Sequence, residues 1–212
     1  MRQTGSIKLF QYWNRLRRKR PAPERTEIDP TDIKMLLPDT FILDMDGRGE
    51  PVFRLAGTRL CAAYGRELKG SAFTSLLRDA DHDTALRLSQ DVFRSNSVAV
   101  LTFAADSRNG RSVTFEMLLL PLSGGVGDRR CLGIMTAAQK PFWLGADPLI
   151  GGRLDAGHII DPDQQSDPSR RRAAIAVPPL WNESPSEVVP DPAARRPRRI
   201  RHLVVLDGGR RR

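Results

Sequence analysis

The sequence predicts an α+β fold, in which a five-stranded antiparallel sheet carries helices over one face. Three observations lead to this prediction. Two apolar runs flank a turn that contains Asp46-Gly47, which is a strong hairpin pattern. Three short helical segments come next, and three strand-length apolar runs with turn-rich connections then follow. Apolar residues make up 40% of the 212-residue chain, so it can bury a real core.

Composition divides the chain into three parts. Residues 1–40 form a helical extension and residues 41–145 form the folded domain. Residues 146–212 form a mostly disordered tail that is basic and rich in proline. In this tail Pro, Asp, Arg and Ser dominate, and the few apolar clusters cannot offset the entropy of ordering the chain.

The net charge of +9 points to nucleic acid or an anionic membrane as a partner. The distribution of charge weakens that interpretation for the domain itself. Residues 41–145 carry thirteen Lys and Arg against eleven Asp and Glu, so the excess lies in the two extensions. We therefore expect no DNA-reading face on the domain.

Cysteine content and hydropathy indicate the compartment. Cys61 and Cys131 are too few for a disulfide framework or a paired-cysteine metal site, which favours a reducing compartment. No apolar run approaches the roughly 20 residues of a membrane-spanning helix, and the N-terminus lacks the apolar centre of a signal peptide. We expect a soluble, cytoplasmic protein.

The first element is an amphipathic helix over residues 6–20, which ends in a basic turn before Pro21. The spacing of its apolar residues predicts one broad apolar face. This face can pack on its own domain or on a dimer mate, or it can meet a partner or an anionic membrane. We expect it at a dimer or partner interface, through Leu9, Phe10, Trp13 and Leu16.

A second helix is predicted over residues 27–38. Asp29 is its N-cap and Pro30 its first helical residue, which is a favourable helix start. Ile33, Leu36 and Leu37 give this helix an inner face, and Pro38 ends it.

The remaining elements follow in order. Strands over 40–45 and 51–56 precede a short helix over 58–64, which Gly57-Thr58 opens and Gly65 closes. A short helix or loop covers 72–77, and a clearer helix spans 82–94 with Asn96 as its terminator.

Three strands, over 98–105, 112–122 and 130–139, complete the sheet. Apolar residues occupy both parities of the middle strand, so both faces of the sheet need cover. We expect the small helices on one face and the N-terminal helix or a second subunit on the other. Gly124 to Gly127 lies between two strands and reads as a hairpin loop, because a phosphate site would need a helix N-terminus there.

This order of elements resembles a PAS domain. Five short motifs narrow the resemblance to small bacterial stand-alone PAS-domain proteins: YW-x-x-LR at 12–17, IDP at 28–30, LLP at 36–38, RLAGT at 54–58 and GREL-x-G at 65–70. The ending RHLVVLDGGR at 201–210 is also similar. The resemblance covers about residues 10 to 140 and this ending.

The resemblance implies a sensory or interaction module with a ligand or partner between sheet and helices. A cavity there would be mostly apolar. The candidate wall residues are Phe53, Leu55, Tyr64, Phe73, Leu88, Phe115, Met117, Leu119 and Met135, which could equally fill a solid core. Polar candidates are Arg54, Thr58 and Glu116: a charge inside a strand needs a partner, and Thr58 reads rather as a helix cap.

Cofactor chemistry finds little support. Some PAS relatives bind haem through a histidine on the long helix, but His82 lies at the very start of that helix, between two aspartates. The flavin-binding relatives use a cysteine in a turn that here reads Gly65 to Leu68, without cysteine. Haem and covalently bound flavin are therefore not favoured, and the cofactor is unknown.

No catalytic constellation is apparent, because two of the three histidines lie in the tail and no nucleophile has a base nearby in sequence. We expect a non-catalytic regulatory protein, a homodimer that meets a signalling partner, either as a ligand sensor or as a pure adaptor. A third possibility is weak nucleic-acid contact through the arginines of the tail at 170–172, 195–199 and 210–212. The segment Ile200–Leu206 could add to a sheet edge or recruit a partner.

Overall fold

The computed structural model describes residues 1–124, 130–163, 198–200 and 203–205. The chain divides into two compact units, Met1–Val177 and Pro178–Arg212. In the first unit the helices are α1 (Thr4–Arg17), α2 (Thr58–Tyr64) and α3 (Asp79–Ser95), with short 3-10 turns at Arg25–Glu27, Leu37–Asp39 and Phe73–Leu76. Its strands are β1 (Thr40–Met45), β2 (Pro51–Ala56), β3 (Val98–Ser107), β4 (Ser112–Leu122), β5 (Arg130–Ala137) and β6 (Leu149–Ile160).

The strands form one antiparallel sheet in the order β2-β1-β5-β4-β3-β6. The segment with α2 and α3 carries the chain from β2, at one edge, across to β3. The β3–β4–β5 meander then runs back toward β1, and β5 pairs with β1 in the middle of the sheet. The α+β prediction with an antiparallel sheet is thereby confirmed.

The sheet has six strands instead of the predicted five. β6 pairs along most of β3 and lies within the stretch that the sequence assigned to the tail from residue 146. This strand was not predicted because it contains three glycines, and glycine weakens the sequence pattern of a strand. Two of them are needed for close approach: a Cβ on Gly152 would lie 2.6 Å from the Phe103 ring, and one on Gly157 would lie 2.3 Å from Leu88 Cδ1.

The helix predicted over residues 27–38 is a series of turns. Leu36 N–H donates to the Ile33 carbonyl at 2.7 Å and Ile33 N–H to the Pro30 carbonyl at 3.2 Å, so most of the bonds are of the tighter i to i+3 kind. Leu37 N–H, which donates to the Ile33 carbonyl at 3.2 Å, makes an α-type bond. Asp29 does cap this segment, since its Oδ1 accepts from Thr31 N–H at 2.8 Å. Only Ile33 of residues 31–37 is buried, whereas α2, of the same length, buries Leu60, Ala63 and Tyr64. Tertiary packing therefore supports an α-helix at α2 and not here.

Both faces of the sheet are covered, as the two parities of β4 predicted. We call the side under α2 and α3 the helix face; β4 contributes Phe115, Met117 and Leu119 to it. We call the opposite side the α1 face; there Leu118 and Leu120 pack with residues of α1. Each face holds its own apolar cluster.

The described part of the second unit is an antiparallel pair, β7 (Arg198–Ile200) and β8 (Leu203–Val205). The strand-like segment predicted at 200–206 is thus divided between two strands that pair with each other. No helix in the described part of the chain is both long and apolar enough to cross a membrane.

Candidate functional site

The region between the sheet and α2–α3 is where a ligand was expected. Eight of the nine candidate wall residues belong to the helix-face cluster, and none of these eight is more than 5% exposed. They are Phe53, Tyr64, Phe73, Leu88, Phe115, Met117, Leu119 and Met135.

Aromatic rings fill much of this region. The ring centroid of Phe53 lies 5.4 Å from that of Phe41 and 6.3 Å from that of Phe73, and Phe103 stacks on Phe115 at 5.4 Å. The Phe41 ring lies directly on the backbone of β5, since a Cβ on Gly133 would be 2.2 Å from its Cζ. Ring contacts of this kind are typical of a packed protein interior.

Leu55 does not line this region, which corrects the prediction. Its side chain is 51% exposed, and it pairs with Ile42 on the α1 face near the edge of the sheet. The β1–β2 register shifts between Ile42 and Leu43. A shift of one residue moves the following side chain to the other face, so the alternation that placed Phe53 inside fails for Leu55.

The polar candidates Arg54 and Thr58 lie at the surface. Arg54 is paired with Asp44, at 3.6 Å between Nη1 and Oδ2. Thr58 is exposed and is the first residue of α2, whereas Gly57 is the N-cap. Gly57 is required there because a Cβ would lie 2.3 Å from the Pro38 carbonyl oxygen. The prediction that Thr58 caps the helix is therefore wrong.

Glu116 lies on the α1 face and is only 6% exposed. Its carboxylate accepts hydrogen bonds from the backbone N–H groups of Arg2, at 2.6 Å, and Gln3, at 3.0 Å. These groups lie at the N-terminal end of α1, where the helix dipole favours a negative charge. The sequence predicted that Glu116 needs a partner, and these two backbone N–H groups are that partner.

Arg17 fixes the other end of α1, and sequence reasoning treated it only as part of a basic turn. Its side chain is 4% exposed. The guanidinium donates to Asn14 Oδ1 at 2.7 Å, to the Arg20 carbonyl at 2.9 Å and to Asp163 Oδ1 at 2.5 Å. The hydrogen bond from Arg17 holds the pKa of the Asp163 carboxyl below its ordinary value.

The apolar face of α1 packs on its own sheet. Leu9 and Trp13 are fully buried, Phe10 is buried and Leu16 is partly buried. The Trp13 indole N–H donates to the Pro121 carbonyl at 2.7 Å. The four residues predicted at a dimer or partner interface therefore contact their own chain. The α1 face of the sheet is itself apolar and packs against them within the same chain.

One polar group of the helix face stands out. The Tyr64 hydroxyl is buried and, within the described part of the chain, has no hydrogen-bond partner. Burial raises the pKa of this phenol well above its ordinary value. A neutral hydroxyl without a partner is an uncompensated polar group in an apolar core.

The remaining reactive side chains are poorly placed for chemistry. Cys131 is fully buried, and burial raises the pKa of its thiol to about 12, so it is not a thiolate at neutral pH. Cys61 is half-buried. His82 lies in the first turns of α3, with its Nε2 at 3.1 Å from the Leu77 carbonyl oxygen. Among the described residues no group of three or more potential metal ligands occurs.

Comparison with known families agrees with this fold. A family model described as PAS domain matches residues 1–136, which include α1 and all but the last residue of β5. No curated protein matches the chain significantly. The match covers well over half of the sequence and confirms the resemblance drawn from the motifs. The chain therefore belongs to the PAS domain family.

Proposed function

We propose that this PAS domain is a non-catalytic regulatory module that acts through contact with a signalling protein, as an adaptor. The observation that supports this role is the filled helix face. A pocket for a small molecule typically needs about 300–1,000 Å³, and the region that would supply it is occupied by eight buried side chains of the domain itself.

Packing also limits how a ligand could enter. The Phe41 ring meets the β5 backbone, and Leu88 on α3 meets β6 at Gly157. Room for a ligand would require several such side chains to leave the core. Moving one buried apolar side chain into water costs about 1.5–3 kcal/mol, and a ligand would have to offset that cost before it gained affinity.

A ligand-linked sensor is the second candidate, and the Tyr64 hydroxyl favours it. An unsatisfied buried polar group costs about 1–3 kcal/mol. A small polar ligand beside Tyr64 would supply the missing hydrogen bond, and its arrival or departure would change the packing under α2.

Native mass spectrometry of the freshly purified chain, followed by denaturation, separates the two candidates. For the adaptor we expect the polypeptide mass alone. A stoichiometric small molecule that denaturation releases would replace the adaptor with the sensor. Tyr64→Phe is the matched variant: it should lose that molecule if the hydroxyl binds it.

The homodimer is part of this proposal. Leu55 is 51% exposed on the α1 face, next to the partly buried Ile42, so apolar surface remains there beyond the reach of α1. Light scattering of the full chain should give twice the monomer mass. Leu55→Glu should give monomers, whereas Leu55→Ala should weaken the dimer only slightly.

We place this role in the cytoplasm, because Cys61 and Cys131 are both free thiols, as is usual in a reducing compartment. Weak nucleic-acid contact through the tail remains an alternative; its three arginine clusters fall outside the described residues except for Arg198 and Arg199 in β7. A chain that ends at Asp163 keeps β6 and removes the clusters. If the tail binds DNA, this truncation should abolish a salt-sensitive affinity.

A further inference from the structure

The outer side of α1 is unusually basic. The first 20 residues contain seven Lys and Arg and no Asp or Glu. Because most apolar residues of α1 are buried on the sheet, its exposed residues are Thr4, Ile7, Lys8, Gln11 and Arg15. Of these, Lys8, Gln11 and Arg15 recur at helical spacing. Arg18, which follows the last helical residue, is exposed as well.

Five of the seven basic residues, from Lys8 to Arg20 without Lys19, differ in whether a carboxylate of the domain pairs with them. Arg17 and Arg20 are paired with carboxylates, at 2.5 Å from Asp163 and 2.6 Å from Glu27. Within residues 1–124 and 130–163, by contrast, no carboxylate lies within 4.0 Å of Lys8 or Arg18.

Arg15 belongs with Lys8 and Arg18. Its one ion pair with a described residue, Asp32, is long at 3.9 Å, and both side chains are more than half exposed. Such a pair contributes little. Lys8, Arg15 and Arg18 are therefore available to an external anion, and we call them the basic ridge.

The geometry of the ridge fits an elongated partner. Lys8 and Arg15 are two helical turns apart, about 10 Å along the axis. Arg18 follows as the C-cap of α1, in a left-handed backbone conformation. A helix with acidic residues at i, i+7 and i+10 or i+11 would present carboxylates at the same intervals. Gln11, which can donate and accept a hydrogen bond, lies between the cations.

The surroundings of the ridge favour protein over lipid or nucleic acid. Asp32 lies beside Arg15, and the exposed Asp29 belongs to the same segment. A uniformly negative membrane or phosphate backbone would meet these carboxylates with repulsion, whereas a protein surface can place a neutral or basic residue there. Insertion of α1 into a membrane would also require Leu9 and Trp13 to leave the core.

We propose that the basic ridge of Lys8, Arg15 and Arg18 is the docking surface for an acidic helix of a protein partner. This inference rests on the proposed adaptor function and names the chemistry of its partner. It also moves the interface of α1 from the apolar side, where the sequence placed it, to the opposite side.

The test uses the full-length protein and a fluorescently labelled alanine-based helical peptide of about 20 residues, with glutamates at the intervals of the ridge. Fluorescence anisotropy measures binding at low and physiological salt. Charge reversal at all three positions (K8E/R15E/R18E) should weaken binding roughly tenfold or more. These residues are exposed, and an unchanged near-ultraviolet circular dichroism spectrum will show that the variant is folded.

Two controls make the result specific. K69E/R87E/R94E reverses three exposed cations away from α1 and makes the same change in net charge. It should retain most of the affinity. A peptide of the same composition with its glutamates rearranged off one face should bind the wild type more weakly.

Three outcomes would overturn the proposal: equal loss in both triple variants, no loss in the ridge variant, or stronger ridge-dependent binding to duplex DNA or to vesicles about one-third phosphatidylserine. The last outcome would assign the ridge to another class of partner. Failure here leaves the mass-spectrometric test of the adaptor untouched, because that test reports whether the chain holds a small molecule and not whether the ridge binds a partner.

Discussion

The two faces of the sheet are closed in different ways. The helix face is closed by aromatic and aliphatic packing, and its rings lie directly on glycine backbone. The α1 face is closed by one helix whose ends are fixed by charged side chains, Glu116 at the start and Arg17 at the end. Packing responds weakly to pH and salt, whereas contacts between charges respond to both. The difference indicates that the α1 face is the part of the domain that solution conditions can loosen.

The strongest way to separate the two faces is to delete one large side chain from each. Phe53→Ala and Trp13→Ala should each lower the free energy of unfolding by about 3–5 kcal/mol. Their hydrogen exchange should differ. Phe53→Ala should speed exchange throughout the sheet, whereas Trp13→Ala should speed it mainly in α1, while β1 and β5 stay protected.

Leu55→Ala is the control, because that side chain is half exposed and its loss should cost less than about 1 kcal/mol. Uniform exchange across the whole domain in Trp13→Ala would show that the two faces unfold together and would end the distinction.

A medium effect is expected from Glu116. Glu116→Ala removes the charged acceptor of two hydrogen bonds that the backbone N–H groups of Arg2 and Gln3 donate. It should lower the free energy of unfolding by about 2 kcal/mol, measured by urea unfolding. Glu116→Gln keeps an acceptor and should lose less. Asp155→Ala, which removes only an exposed pair with Arg153 at 3.2 Å, should change little. Equal costs for Ala and Gln would mean that charge, not hydrogen bonding, holds this end.

Acid should loosen the other end of α1. The pKa of Asp163 is lower in the folded protein than in the unfolded chain, chiefly because of the hydrogen bond from Arg17. The contact therefore stabilises the fold above the unfolded value of about 3.9, and this stabilisation is lost as pH falls through the folded-state pKa. We expect acid unfolding of the wild type to be steeper below about pH 4 than that of Asp163→Asn.

Other carboxyls also have a lowered pKa, among them Glu27 and Asp147. Their contribution to acid unfolding is the same in the wild type and in Asp163→Asn, so it cancels in the comparison. Identical acid profiles for the two proteins would show that the Arg17–Asp163 contact contributes nothing in solution.

The smallest effect is expected from the buried Tyr64 hydroxyl of the helix face, which has no hydrogen-bond partner among the described residues. Tyr64→Phe removes the unpaired hydroxyl and should raise the free energy of unfolding by about 1 kcal/mol. A decrease would instead show that the hydroxyl has a hydrogen-bond partner in solution, such as a bound water or ligand.

Local patterns predicted the elements that local chemistry determines. The apolar runs gave β1 and β2 with their observed bounds, and Gly57 and Gly65 bracketed α2 as predicted. β6 was not predicted because its glycines allow close contact with Phe103 and Leu88, and no local sequence pattern reveals such contacts. The reversal of Leu55 depends in the same way on a register shift in its neighbour.

Contacts of charged side chains with distant parts of the chain also could not be predicted from the sequence. Glu116 meets Arg2 and Gln3, and Arg17 meets Asp163, over more than one hundred positions along the chain. A strand charge that needs a partner could be recognised at Glu116, but the identity of the partner depended on where α1 lies. The basic turn at the end of α1 gave no indication that one of its arginines is buried.

The placement of large side chains on glycines has a consequence for variation of the sequence. Phe41 with Gly133, Phe103 with Gly152 and Leu88 with Gly157 each share one fixed volume. If such a glycine is replaced by alanine, the facing Phe or Leu must be replaced by a smaller residue, so the two members of a pair can change only together. Gly133→Ala should be tolerated with Phe41→Leu and rejected alone, which makes these three pairs the units in which the core can be redesigned.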